Sequence, residues 1–347
     1  DPPRHVFEVR HGENGPELCV LLDSVSSQAN RLECALKELR ERNALRFPTI
    51  CVDFSDTPAA EVGVITSLDA PHRFCDAILR DSLLGKEPFR KSPDGTYLFA
   101  ATPANAQALY EIDPASINHG AWNSNGGLGA FGTRFTRAVT SEIVGVGVAT
   151  ESGRPSGKRT SSRIDPLGIV SAARVHKLPG GEWSFDSPDD KPSEILHGNI
   201  KPSVQDLGVS IAYAMHTFVL SLTLFKTIRF PKVSRETAVH ARAALVALEL
   251  AAAVGQDLAG YFLRSRCHLV PTEPGTPQPC DASGVFEIVN ADGSREPCEF
   301  DLASICKVVA IAAGRAAEGG LGWRDKDLML TPQPKLVELI QRSRQHA

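Results

Sequence analysis

The sequence predicts an α+β fold, a sheet covered by helices on one face and enlarged by irregular segments. Three observations predict it: short apolar runs of strand type alternate with amphipathic stretches, only two or three long helices stand out, and Gly and Pro gather in stretches that can be neither. The 347 residues, 42% hydrophobic and 22% charged, suffice for a large buried core and exclude a disordered or fibrous chain. No stretch approaches the roughly 18 apolar residues of a membrane span, so no membrane partner is expected.

Leu18 to Leu22 is a short buried-strand candidate. Ser24 is a candidate N-cap, and Val25, Ala29, Leu32, Leu36 and Leu39 follow at helical spacing, with Glu33–Lys37 and Glu38–Arg42 as supporting pairs. A strand from Thr49 to Phe54 and a helix near Asp69 to Leu84 come next. Thr133 to Ile143 reads as a helix carrying Arg134 and Arg137. Val219 to Phe230 alternates as a long strand, which sets Lys226 on one face with Leu224 and Ile228, an awkward place for an unpaired charge. A second major helix begins near Ser234 and presents Val239, Ala243, Val246, Leu250 and Val254. Val285 to Val289, the turn Asn290 to Ser294 and Cys298 to Phe300 form a hairpin, and Asp301 caps a last helix ending at Gly319-Gly320.

Thirteen Gly and Pro residues fall between 153 and 208, and a Pro-rich run spans Pro271 to Pro279. Such stretches read as insertions, expected at about 55–95, 151–205 and 271–284 of a single domain. The eight cysteines contain no C-x-x-C pair and no finger-like spacing, so no metal is expected, and they read as reduced thiols. The first residues lack a signal-type apolar run; without an initiator Met a trimmed or missing start is expected, and the expected compartment is the cytoplasm.

Thirty-seven basic against 41 acidic residues give a net charge of −4, which excludes a uniformly basic nucleic-acid binder. The distribution is uneven. From Arg134 to Lys177, eight basic residues face three acidic ones, a local +5; from Lys226 to Arg242, five face one, a local +4. Basic segments rich in Gly and Ser suit a sequence-indifferent grip on phosphates.

On the first helix, at 100° per residue from Val25, Asn30 lies near about 140° and Arg31 near about 240°, away from the apolar stripe. Gln28, Asn30 and Arg31 near a helix start suit phosphate and ribose hydrogen bonding, although a solvated polar face explains them equally well. Gly127, Gly129 and Gly132 satisfy G-x-G-x-x-G, but polar, turn-like residues precede them instead of a strand, so no dinucleotide cofactor is expected. Gly153 to Arg159 imitates a phosphate-binding P-loop with one residue too few and Arg159 where Ser or Thr is needed, which disfavours an NTPase. No nucleophile motif and no His pair supports a hydrolase.

Four strings in order, Leu21 to Glu33, Gly120 to Gly129, Ser141 to Gly145 and Gly157 to Gly168, resemble the Csb-type backbone protein of type I-U (I-G) CRISPR systems, in the RAMP superfamily. The resemblance spans roughly residues 18–170. It implies an RRM-like (ferredoxin-like) palm with inserted fingers and thumb, a non-catalytic guide-RNA-binding subunit of Cascade. Its implied partners are crRNA, the target DNA strand paired to it, further copies of itself in a helical oligomer, and other Cascade subunits. The RNA-binding residues it implies are Gln28, Asn30, Arg31, Trp122, Gly127, Gly129, Arg134, Arg137, Lys158, Arg159, Ser161, Arg163 and Lys226. Family patterns often carry an acidic residue after the Trp, where Asn123 stands here. The alternative is a RAMP-type endoribonuclease that processes CRISPR repeat RNA.

Overall fold

In the computed structural model, which describes residues 5–12, 15–123, 133–206, 208–272 and 284–345, the chain divides into two units. One comprises 1–22 with 143–215, the other 23–142 with 216–347. The fold is mixed α+β, as expected, but in place of one helix-covered sheet it has several small sheets.

In the smaller unit Phe7–Gly12 pairs antiparallel with Gly15–Asp23. These two strands, Val139–Val146 and Tyr213–Leu220 follow one another in a four-stranded sheet, the smaller unit holding Ile143–Val146 and Tyr213–Met215 of the last two. Cys19, Val144 and Val146 form a small core there. The stretch expected as an irregular insertion at 151–205 contains a ladder, Lys158–Arg163 against Ile200–Asp206, with an irregularity between Ser161 and Arg163. The Gly that imitated a phosphate loop has a packing reason: a Cβ on Gly157 would lie 2.4 Å from the Gly208 carbonyl oxygen.

In the larger unit Ser24 Oγ accepts from Ser27 N at 3.3 Å and starts the helix Val25–Glu41, as its sequence predicts. Glu38 pairs with Arg42 as expected, whereas Glu33 is buried and pairs with Arg73, and Lys37 reaches Asp69 instead. Leu32, Leu36 and Leu39 pack with Leu248, Ala251 and Ala252 of the helix Arg235–Ala259 and with Ile305 and Val309 of Leu302–Glu318. Gly255 lets Leu39 Cδ1 come within 3.2 Å of where its Cβ would be. A five-stranded sheet runs Val64–Thr66, Ile50–Asp53, Leu328–Pro332, Ser82–Leu84, Glu87–Pro88, its central strand parallel to Ile50–Asp53 and antiparallel to Ser82–Leu84. Phe74, Leu79 and Phe89, from the stretch expected as an insertion at 55–95, sit in its core with Phe54, Leu98 and Tyr110.

Several elements differ from expectation. The helix expected over Asp69 to Leu84 is a single turn at Ala77–Arg80, capped by Asp76, followed by a strand, because Pro71 and the Asp76 cap each restart the backbone. Thr133 to Ile143 is extended: its β-branched residues build the strands Thr133–Phe135 and Val139–Val146. The strand expected to reach Phe230 stops at Leu220, where Ser221 caps a helical turn, Leu222–Phe225; Lys226 then lies exposed beyond it, and the awkward buried charge does not arise. The long helix buries Ala241, Leu245, Leu248 and Ala252, leaving Val239 49% exposed, because an Ala-rich helix packs closely along its small residues. Leu302–Glu318 is capped by Asp301 as expected but is followed by Leu328–Pro332 and the helix Pro334–Gln345. Arg235–Ala259 is also long and apolar enough to cross a membrane by composition, contrary to the expected absence of such a stretch, and 61% of its most apolar window is buried inside the protein.

Candidate nucleic-acid interface

The start of the helix Val25–Glu41 is a hub of buried hydrogen bonds. Asp23, 6% exposed, accepts from Gln28 Nε2 at 2.5 Å and from Arg31 Nε at 2.8 Å. Gln28 is fully buried, and its Oε1 accepts from Ser141 Oγ and Gln256 Nε2, both at 2.9 Å. Ser141 Oγ also meets His216 Nε2 at 2.8 Å; His216 Nδ1 meets Tyr261 Oη at 3.1 Å, and Tyr261 donates to Asp257. Burial lowers the pKa of His216, while Asp257 and Asp23 oppose that shift. The amide of Gln28 is thus consumed internally and does not face solvent, as direct contact with RNA would require. Arg31 is likewise occupied: its Nη1 and Nη2 donate to the Phe262 and Leu263 carbonyls, each at 3.3 Å. Asn30 is exposed on the same helix.

Trp122 and Arg134 are brought together. The strands Ala121–Asn123 and Thr133–Phe135 pair antiparallel with Trp122 opposite Arg134 and Ala121 opposite Phe135. Alternation turns Ala121 and Phe135 into the core and puts Trp122, 65% exposed, and Arg134 on the outer face. The base of this hairpin is fixed. Gly120 has φ +77°, and a Cβ there would lie 2.8 Å from Arg137 N. Arg73 Nη1 donates to the Gly120 carbonyl at 3.1 Å while its fork holds the buried Glu33 at 2.5 and 3.0 Å. Arg137 donates to the His119 carbonyl at 3.1 Å and the Val25 carbonyl at 3.3 Å, so it ties the hairpin to the helix start. Burial pushes the Glu33 carboxyl up to about 7 against the pull of Arg73, and lowers the Arg137 pKa with help from the nearby Arg73 charge. Gly127 and Gly129 lie outside the described residues, as does the rest of 124–132.

The remaining predicted residues lie elsewhere. Lys158 is exposed and pairs at 3.4 Å with Glu151, also exposed. Arg159, Ser161 and Arg163 lie on the strand Lys158–Arg163, and their side chains are outside what the structure describes. The +5 stretch is divided, with Arg134 and Arg137 in the larger unit and its other basic residues in the smaller. Asp23, Ser141, His216, Gln256 and Tyr261, which fix the helix start, are not among the residues the sequence predicts: their partners are far apart in the chain, and no local spacing marks them. Among the described residues no group of three or more His, Cys, Asp or Glu is placed to hold a metal ion.

Residues 4–150 match the family described as CRISPR-associated protein GSU0053 (Cas_GSU0053), a Cas family of the RAMP-type group. The matched segment includes the helix Val25–Glu41 and both strands that carry Trp122 and Arg134, and it ends before Lys158. The chain is therefore similar to a CRISPR-associated family over this segment, which supports a role in CRISPR defence. No curated protein matches the chain.

Proposed function

We propose that this chain is a guide-RNA-binding backbone subunit of a type I Cascade complex, built on an RRM-like palm, that polymerises along crRNA and presents it for pairing with target DNA. The observation that carries the reading is the exposed Trp122 opposite exposed Arg134 on a rigidly rooted hairpin, inside the segment that matches a CRISPR-associated family. An aromatic face stacks on any base and a guanidinium grips any phosphate, so the pair holds RNA without reading its sequence. The subunit acts as a scaffold and not as an enzyme. Its partners on this reading are crRNA, the paired target strand, its own copies and other Cascade subunits.

The test is binding of a labelled guide RNA to the full chain across a salt series. Trp122→Ala weakens binding about tenfold with the salt slope kept, in line with roughly 1–3 kcal/mol per stacked base. Arg134→Ala lowers the slope by about 0.7, the value for one phosphate contact on a single strand. Unchanged affinity and slope in both variants refute the reading. The endoribonuclease alternative has one observation in its favour, the Ser141–His216–Tyr261 chain. Both ring nitrogens of His216 are engaged by protein, which suits a structural strut better than a proton-transfer group. A discrete cut in repeat RNA without metal, lost in His216→Ala, would favour that alternative.

A further inference from the structure

The strands Tyr261–Arg264 and Cys267–Leu269 form a hairpin in the larger unit. Phe262 stands directly opposite His268, and their rings are 4.4 Å apart, tilted by 51°. Both residues are exposed, Phe262 at 57%, and so are Arg264 and Arg266. An exposed Phe backed by an imidazole is held in one orientation, so little side-chain freedom remains to be lost when a flat ligand lands on it. Arg266 sits at the turn with φ +64°, a left-handed conformation that Gly or Asn takes at lower cost. The base of the hairpin does not move freely. Arg31 holds the Phe262 and Leu263 carbonyls, and the buried Tyr261 is bonded to His216 and Asp257.

We infer that the outer face of this hairpin is a stacking platform for single-stranded nucleic acid, with Phe262 receiving a base and Arg264 and Arg266 the flanking phosphates. The inference rests on the RNA-binding reading above and adds a second contact point outside the segment that matches the family. Aromatic and cationic groups alternating on one exposed ribbon satisfy the two demands of a single strand, a π-face and a charged backbone. The same geometry gives Arg31 its role. Arg31 positions the platform from below and does not itself touch the ligand.

The test uses the full chain carrying Trp122→Ala, so that the aromatic of the first hairpin is silent, and a single-stranded oligoribonucleotide containing 2-aminopurine. The expected result is quenching of 2-aminopurine on binding. Phe262→Ala then removes the quenching and weakens binding about tenfold without changing the salt slope, Phe262→Trp restores both, and Arg264→Ala with Arg266→Ala lowers the slope by about 1.4. A duplex of the same length, whose bases are already stacked, is insensitive to Phe262→Ala. If the parent chain binds RNA with a salt slope but Phe262→Ala leaves quenching and affinity intact, the platform is wrong and the RNA-binding reading survives. If Phe262→Ala alters only the size of the particle on gel filtration, the hairpin docks a second copy, and the platform is again wrong. If the chain without substitutions binds no RNA, both readings fail together.

Discussion

Glu249 lies in the middle of the helix Arg235–Ala259, fully buried, with Oε2 3.5 Å from Nε2 of the equally buried His119. Burial pushes its carboxyl up to about 8 from 4.5, Glu33 adds to the shift, and Asn118, Arg73 and Arg137 oppose it. Burial also drives the His119 pKa well below 6.5. At neutral pH the pair is therefore a neutral acid facing a neutral imidazole. Because the folded pKa of Glu249 exceeds the unfolded one, the folded state keeps a proton that the unfolded chain has released. That stabilisation is complete below about 4.5 and is lost as the pH rises through about 8. At about 1.4 kcal/mol per unit, the full shift is on the order of 5 kcal/mol, of which about 1 kcal/mol disappears between pH 7 and 8. Two other buried carboxyls with raised pKa values, Glu33 at about 7 and Asp113 at about 6, lose most of their own contribution below that window. His119 acts in the opposite sense at lower pH, so the interval from about 7 to 8 isolates Glu249. Glu249→Gln keeps the shape and removes the titration. Urea unfolding followed by tryptophan fluorescence, with Trp323 packed 5.8 Å from Tyr110, reads the difference. From pH 7 to 8 the chain loses on the order of 1 kcal/mol more than Glu249→Gln does. Equal losses in the two proteins would refute a protonated buried Glu249.

Three further outcomes follow from the same contacts. Arg31→Ala leaves the buried Asp23 with Gln28 but without its charged partner and frees two hairpin carbonyls; it costs about 2 kcal/mol in urea unfolding and speeds amide exchange in 261–269 more than in 121–123. Gly120→Ala forces a Cβ onto the Arg137 backbone at φ +77°, costing about 2 kcal/mol or more and lowering the melting temperature, while Ala at the exposed Gly314, which meets nothing within 4 Å, is tolerated. Lys226→Ala leaves stability within about 0.5 kcal/mol, since the side chain is exposed, and lowers the salt slope of guide-RNA binding by about 0.7; Lys158→Ala with Arg159→Ala lowers it by about 1.4.

Elements set by local chemistry were legible. Ser24, Ser234 and Asp301 each cap the helix expected of them, and the Val285–Val289 hairpin closes on its Asn290-to-Ser294 turn. Elements set by distant partners were not. The strand Leu328–Pro332 is central in its sheet only because Ile50–Asp53 and Ser82–Leu84 flank it, and no local pattern announces neighbours 248 to 278 residues away. The long helix lies where its sequence puts it and only part of its expected face is buried: Val254 is enclosed and Val246 and Leu250 pack against the core, while Val239 is exposed, because the central run from Ala243 to Val254 holds a single polar residue, Glu249, and small Ala side chains set its rotation.

The same distinction sorts the candidate site. Sequence chemistry marks Gln28, Arg31 and Arg137 as hydrogen-bonding groups, and a side chain with that chemistry satisfies either a phosphate or a carbonyl. Burial decides between the two. Gln28 is wholly enclosed, and Arg31 and Arg137 spend their donors on Asp23 and on the carbonyls of Phe262, Leu263, His119 and Val25. Trp122 and Arg134, by contrast, occupy the outward positions of a ribbon whose inward positions are Ala121 and Phe135. The buried Arg73 and the half-buried Arg31 and Arg137 hold the roots of two hairpins, and the exposed aromatics at Trp122 and Phe262 are what those hairpins present. Mutations of the two classes therefore separate experimentally: loss of a root residue lowers stability first and RNA affinity second, whereas loss of an exposed aromatic lowers affinity alone. A Trp122→Ala protein whose urea midpoint falls as far as that of Arg31→Ala would show that the division between roots and presented faces is wrong.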